Sequence, residues 1–242
     1  MKFAIVAGGE GSRLRSEGVL VQKPLVRLGD ETLLARLIRI FAQNEAEEIV
    51  LLARTEADEV VAEARCAAVE WGTKLTVVRA DTPSSMHSFS ALVAYLHAAP
   101  FCLTTVDTVF SEVAFNDYIA SFRRLLADGD ADGLMGVTTL IDDEKPLYVE
   151  VDSDGFITAF LDESNGRVHH VSAGVYGLTP PAIDTLQRCM TRGESRLRNF
   201  QRALLTDGLL LRAHDFGAVI DIDHAADIDK AEKLIHTDFY SM

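Results

Sequence analysis

The stretch Phe3-Ala4-Ile5-Val6-Ala7-Gly8-Gly9-Glu10-Gly11-Ser12-Arg13-Leu14 is followed, ten residues after Arg13, by Lys23-Pro24-Leu25. Its five apolar residues read as a short buried strand and its three glycines as a loop. Glycine has no Cβ to hold a ligand away and reaches positive φ cheaply, so such a loop lets backbone N–H groups close on an anion. The Arg13 guanidinium and the Lys23 ammonium would add charge that backbone dipoles lack. The run from Ala7 through Gly8, Gly9, Gly11 and Ser12 to Arg13, with Lys23, therefore reads as a triphosphate cradle. Two other glycine loops do not fit. A dinucleotide fingerprint needs G-x-G-x-x-G, but from Gly9 and Gly11 the third position is Leu14. A kinase or ATPase P-loop ends in Gly-Lys-Ser/Thr, whereas Gly11 precedes Ser12-Arg13.

Outward from the loop, apolar runs at Phe3–Ala7, Ile49–Ala53, Leu75–Arg79 and Phe101–Val106 alternate with helical patterns. Leu33, Leu34, Leu37, Ile38 and Phe41 share a helical face, and segments 56–71 and 86–98 have similar periodicity. This alternation predicts βαβ units around a parallel sheet. Ligands of such sheets bind beyond the carboxyl ends of the strands, so loops 8–13, 80–88 and 107 are expected to meet at one crevice. From about Leu134 the pattern turns to strands, near 134–141, 147–151, 156–160 and 171–178. Thr179-Pro180-Pro181 then starts a helix where the missing proline N–H costs least. A helix at 199–206, strands near 209–213 and 218–221, and a helix at about 224–236 follow. The expectation is an α/β fold in one domain over residues 1–242, with a nucleotide-binding half (1–133) and a β-rich acceptor lobe and C-terminal segment (134–242).

The 242 residues are 48% hydrophobic and 25% charged, a globular balance. A net charge of −14 argues against a nucleic-acid partner, whose backbone demands a basic surface. A polyphosphate must then find a local basic site, either Arg13, Arg15, Lys23 and Arg27 or Arg192, Arg196, Arg198 and Arg202. No run approaches the roughly 18 apolar residues needed to span a bilayer, and the apolar stretch after Met1-Lys2 is too short for a signal-peptide core. A cytoplasmic protein without a membrane partner is expected. Cys66, Cys102 and Cys189 have no metal-site spacing, and Cys102 reads as a buried thiol.

The pattern G-G-x-G-[ST]-R-L followed by K-P-L resembles the signature of the nucleotidyltransferases that make NDP-sugars and related activated alcohols. Val106-Asp107, Asp152-x-Asp154-Gly155-x-Ile157, Ser172-Ala173-Gly174-Val175-Tyr176 and Asp221-Ile222-Asp223, with Asp227-Ile228 beyond, extend the resemblance along the chain. It implies a Rossmann-like, GT-A-like fold: a mostly parallel sheet with helices on both faces and a small β-rich acceptor lobe. It also implies a Mg²⁺-dependent reaction of an NTP with a phosphorylated small acceptor, releasing pyrophosphate. Such chemistry needs no protein nucleophile, because an acceptor phosphate oxygen attacks the α-phosphorus; catalysis is positioning and charge neutralisation.

In that scheme Arg13 and Lys23 are catalytic and hold phosphates. Mg²⁺ takes one or two carboxylates with phosphate oxygens and water, implying Asp107 and one of Asp221 and Asp223, with Asp223 favoured. The competing readings are a turn or cap for Asp107 and a cap of the last helix for Asp223. Ser84 and Ser85 lie where relatives contact base and ribose, and either would equally cap the helix after them. Relatives carry Glu-Lys-Pro near Asp162-Glu163-Ser164 and use that lysine for the sugar phosphate; here Glu163 would repel one. Arg196 and Arg198 are expected to replace the lost cation, with Asp162 and Tyr176 also at the acceptor. Two other functions stay open, a glycosyltransferase using Asp221-x-Asp223 as its D-x-D and a catalytically silent nucleotide-binding module. The oligomeric state is open too.

Overall fold

Successive side chains of an extended strand point to opposite faces, so a strand buried on both sides must be apolar throughout. The first run meets this demand: Phe3, Ile5 and Ala7 enter one core, and Ala4 and Val6 enter another. The computed structural model describes residues 1–140, 145–164, 166 and 168–239. The first half contains β1 (Lys2–Ala7), α1 (Ser12–Ser16), β2 (Arg27–Leu28), β3 (Glu31–Thr32), α2 (Leu33–Gln43), β4 (Glu48–Ala53), α3 (Asp58–Glu70), β5 (Leu75–Arg79), α4 (Ser85–Leu96), β6 (Phe101–Thr105), β7 (Thr108–Phe110) and α5 (Glu112–Asp128). Then come β8 (Gly133–Thr138), β9 (Tyr148–Val151), β10 (Ile157–Leu161), β11 (His170–Leu178), α6 (Pro181–Thr191), α7 (Leu197–Thr206), β12 (Leu211–Asp215), β13 (Val219–Asp221) and α8 (Ala225–Phe239). The expected strand 134–141 ends at Thr138, and Ile141 lies outside the described residues. Among the described residues no helix is long and apolar enough to cross a membrane.

Strands β6, β1, β4 and β5 lie side by side and parallel. The strands of the second half continue the same sheet, because β11 runs antiparallel to β6 and to β8, and β12 runs parallel to β8. Helices α2, α3, α5 and α8 cover one face, where Phe3, Phe41, Phe110 and Phe115 stack with ring centroids 4.6–5.4 Å apart. Helices α4, α6 and α7 cover the other, around Phe89, Phe101 and Phe200. Helix α5 was not anticipated. Ser111 caps it, Gly129 ends it in a left-handed conformation, and Phe115, Tyr118, Ile119, Phe122 and Leu125 form its buried stripe.

The long strand β11 shifts register between Ser172 and Tyr176, and Gly174 sits inside that irregularity at φ +72°. Below the shift β11 pairs with β9; above it, with β6. A Cβ on Gly174 would lie 3.0 Å from Thr108 Oγ1, which itself bonds Thr105 Oγ1 at 2.9 Å. The bend thus lets β7 pass close beside β11. Gly174→Ala combines left-handed strain with that crowding and is expected to cost about 1–3 kcal/mol. Urea unfolding would check it: the midpoint falls with the m-value unchanged, and an unmoved midpoint would mean the bend tolerates a side chain.

Candidate active site

The glycine loop leaves the carboxyl end of β1, where no neighbouring strand takes up its amides. Gly11 stands at φ +60° directly before α1, a conformation that costs glycine little. Among the described residues no protein acceptor takes the N–H groups of Gly8, Gly9, Glu10 or Gly11. They remain donors for an anion.

Lys23 opens a short 3₁₀ turn with Pro24 next to it, so the chain direction there is fixed by proline's φ. Its side chain is 9% exposed. The ammonium donates to Asp107 Oδ2 at 2.5 Å and to Asp223 Oδ1 at 2.9 Å, and Arg13 Nη1 reaches Asp223 Oδ2 at 3.1 Å. Burial alone would lower the Lys23 pKa, but Asp107 and then Asp223 outweigh it and hold the value above that of a free lysine. Lys23 is therefore a fixed cation. Asp107 lies in the turn between β6 and β7, and its carbonyl accepts from Ile222 N at 3.0 Å, tying the two aspartate segments together. β13 pairs with β7, placing Asp221 opposite Thr108.

Asp221 and Asp223, the two candidates for the second metal ligand, come to the same cleft. Both line it while Ile222 between them is buried in the core, because Asp223 N bonds back to the Asp221 carbonyl at 3.0 Å in a tight turn centred on Ile222. Asp223 does not cap α8. Asp227 does, accepting from Asp223 N at 3.1 Å and His224 N at 2.8 Å, while Glu17 at the end of α1 takes Ala225 N at 2.7 Å. Asp221 opens onto the cleft with protein packed round its other sides. That enclosure, then the Asp107 charge, raises its pKa against a hydrogen bond from Thr108. Among the described residues no three carboxylate, imidazole or thiol groups converge tightly enough to hold a metal ion unaided. Three carboxylates sharing the cations Lys23 and Arg13 are nevertheless hard donors short of positive charge, and they fit Mg²⁺ completed by phosphate oxygens and water.

Around this hub the loops converge as expected. A space of about 410 Å³ is bounded by Gly8, Gly9, Lys23, Ser84, Ser85 and Asp107. Ser84 also caps α4, accepting from His87 N at 3.4 Å and meeting His87 Nδ1 at 2.8 Å. A second space, about 600 Å³, adjoins Ala7, Gly9, Ser12 and Lys23 and extends to Arg54 and Asp81. Arg54 pairs with Glu10 at 3.0 Å and with Asp81 at 3.4 Å; this trio was missed, although Arg54 and Asp81 follow the carboxyl ends of β4 and β5. The third space, about 180 Å³, contains Arg13, Ser172, Asp221, Asp223 and Lys230.

Of the residues expected at the acceptor, Asp162, Arg196 and Arg198 share one cavity, whereas Tyr176 does not line the cleft. Tyr176 belongs to the second core, 6% exposed, and its hydroxyl meets Gln201 Nε2 at 3.4 Å. Its link to the cleft runs through Gln201, whose Oε1 takes Ser172 Oγ at 3.1 Å. Arg198 does not reach the aspartates: it donates to Asp162 Oδ1 at 2.7 Å, and Arg202 meets the same oxygen at 2.8 Å. These arginines hold the Asp162 carboxyl below the usual carboxylate range. With Arg196 they line a separate cavity of about 850 Å³, and Pro146 borders both it and the small space holding Asp221 and Asp223.

Similarity to known proteins follows the same outline. Mannose-1-phosphate guanyltransferases of Candida albicans and Schizosaccharomyces pombe are each 26% identical over 196 and 194 residues, covering 77% of this chain and 52% of theirs. The chain spans about half the length of the curated relatives it matches. The solved inositol-1-phosphate CTP transferase of T. maritima superposes with a TM-score of 0.76 at 22% identity, covering 97% of this chain and 96% of that one. A Bacillus anthracis structure assigned as a glucose-1-phosphate thymidylyltransferase reaches 0.83 at 17% identity, over 97% and 94% of the two chains. These two share the fold. Residues 3–206, from β1 through α7, match the MobA-like NTP transferase domain, and the chain belongs to that family.

Proposed function

We propose that the protein joins an NTP to a phosphorylated small acceptor, a sugar 1-phosphate or a similar alcohol phosphate, giving an NDP-linked product and pyrophosphate. The observation that carries this reading is the Lys23 ammonium bridging Asp107 and Asp223 beside loop amides that no acceptor among the described residues takes. An acceptor phosphate oxygen forms the bond to the α-phosphorus. The bond from that phosphorus to the bridging oxygen breaks, and its electron pair leaves with pyrophosphate. Loop amides and Arg13 meet the phosphate chain, and Lys23 holds its proton throughout, acting as charge rather than as acid. Mg²⁺, when bound at Asp107 with Asp221 or Asp223, would neutralise phosphate charge and align the leaving group. A cytoplasmic setting, where NTPs and Mg²⁺ are available, suits this chemistry.

The deciding experiment is a matrix of NTPs against sugar and alcohol phosphates, read by pyrophosphate release with and without Mg²⁺. Pyrophosphate appearing only when acceptor, NTP and Mg²⁺ are all present is the expected result. Nucleotide released from an NDP-sugar instead would identify a glycosyltransferase, and no turnover in any combination would leave a binding module.

Arg13→Ala is expected to lower kcat/KM about 10²-fold or more with the fold intact, on the scale of losing one transition-state donor. Asp107→Asn and Asp223→Asn should also lose activity, with excess Mg²⁺ restoring it only in part. Wild-type turnover in all three variants would sink the assignment.

Lys23 can be tested without turnover. Lys23→Met leaves Asp107 and Asp223 facing each other unbridged, so a loss of about 1–3 kcal/mol is expected in thermal or urea melts. Added Mg²⁺ should raise Tm more in this variant than in the wild type, since a ligand that binds the native state stabilises it by mass action. Equal Mg²⁺ responses would mean that the ammonium and the metal do not share a place.

A further inference from the structure

A second cavity, larger than the space that holds Asp221 and Asp223, lies beside it. It lies between β9, the segment after β10 and the start of α7, and its volume is about 850 Å³. Resting on the nucleotidyl-transfer reading, we propose that this cavity binds a second anionic group, a phosphate or a carboxylate, at the end of the acceptor away from its reacting phosphate.

Charge is the first argument. In a chain of net charge −14, four cations, Lys145, Arg196, Arg198 and Arg202, line one cavity with Asp162, Glu163 and Glu194. The carboxylates do not use up the cations. Asp162 presents one oxygen to both Arg198 and Arg202, so a single negative charge answers two guanidiniums. Glu194 is taken from outside the cavity by Arg192 at 2.7 Å. Arg196 has no hydrogen-bond or ion-pair partner among the described residues for its side chain and stands exposed at the rim.

Geometry is the second. Arg198 is braced by a bond from Nη2 to the Lys145 carbonyl at 2.8 Å, and Arg202 by one from Nε to the Phe160 carbonyl at 3.0 Å. These forks are preorganised, so an arriving anion orders only Arg196. Arg196 is also the residue from which α7 starts, without a side-chain cap on that ten-residue helix. Pro146 joins this cavity to the space of Asp221 and Asp223, whereas neither space bounded by the glycine loop shares a lining residue with it. A ligand reaching from the aspartates into this cavity is therefore an extended acceptor rather than the nucleotide. Glu163, on the same wall as Asp162, repels the anion and turns it toward Arg196.

The test pairs acceptors that differ by one phosphate: glucose 1-phosphate with glucose 1,6-bisphosphate, and mannose 1-phosphate with mannose 1,6-bisphosphate. KM is read by pyrophosphate release and Kd by calorimetry of the full chain without NTP. At least one bisphosphate is expected to bind about tenfold more tightly than its monophosphate, the scale of one charge-assisted contact. Arg196→Ala should remove most of that gain while leaving KM for the NTP unchanged, and Arg196→Lys should restore part of it. Equal affinities within both pairs, or a gain that survives in Arg196→Ala, would overturn the proposal. An Arg196-dependent gain in Kd without any turnover would uphold the anion site and instead refute nucleotidyl transfer. Inorganic phosphate separates the two sources of the anion. Competition against the bisphosphate alone supports an acceptor-borne group; stimulation of turnover with the monophosphates would identify a free anion and overturn the acceptor form.

Discussion

A nearly buried ammonium must be answered by carboxylates, and Lys23 finds them on segments that are far apart in sequence, at Asp107 and Asp223. Much of the architecture serves this meeting. The parallel strands deliver the glycine loop and the Asp107 turn to the same end of the sheet. The pairing of β13 with β7 then carries Asp221 and Asp223 back to that end after the chain has crossed the whole molecule. Attraction alone would not hold the arrangement, since three carboxylates in one cleft repel one another. The backbone bond from Ile222 to Asp107 and the capping of α8 by Asp227 fix the acidic segments independently of charge.

The sheet is rigid because both its faces are covered, yet its middle must also leave a cleft. These demands are reconciled at β11. Its upper part is an ordinary antiparallel neighbour of β6, packed by Val175 and Leu178 into the two cores. Its lower part turns away at Gly174 to pair with β9 and opens the gap in which Ser172 and Asp221 stand. One irregularity thus separates the part of the sheet that carries the glycine loop from the part that carries the arginine-lined cavity.

Local pattern made much of this legible. The doubly buried strands, the loop amides and the convergence of loops 8–13, 80–88 and 107 follow from apolar runs ending in glycine and polar residues. Helix α5 did not declare itself, because Phe115, Tyr118, Ile119 and Phe122 are residues that strands favour; their helical spacing matters only against the aromatic core that receives them. The common side of Asp221 and Asp223 follows from the tight turn at Ile222 just past β13, and their partners are set by tertiary packing. Likewise, nothing local to Asp162 announces that two arginines from α7 will settle on it, or that Tyr176 will turn its hydroxyl to Gln201.

The match to the family ends at residue 206, whereas β13 and α8 come later. A chain cut at that limit would keep the glycine loop, Lys23 and Asp107, but would lose Asp221 and Asp223. It would also expose the core surface that Val219, Ile220, Ile222 and Ala231 cover. The last stretch is thus a clasp closing the cleft from behind, and without it Lys23 would keep Asp107 but lose its second carboxylate.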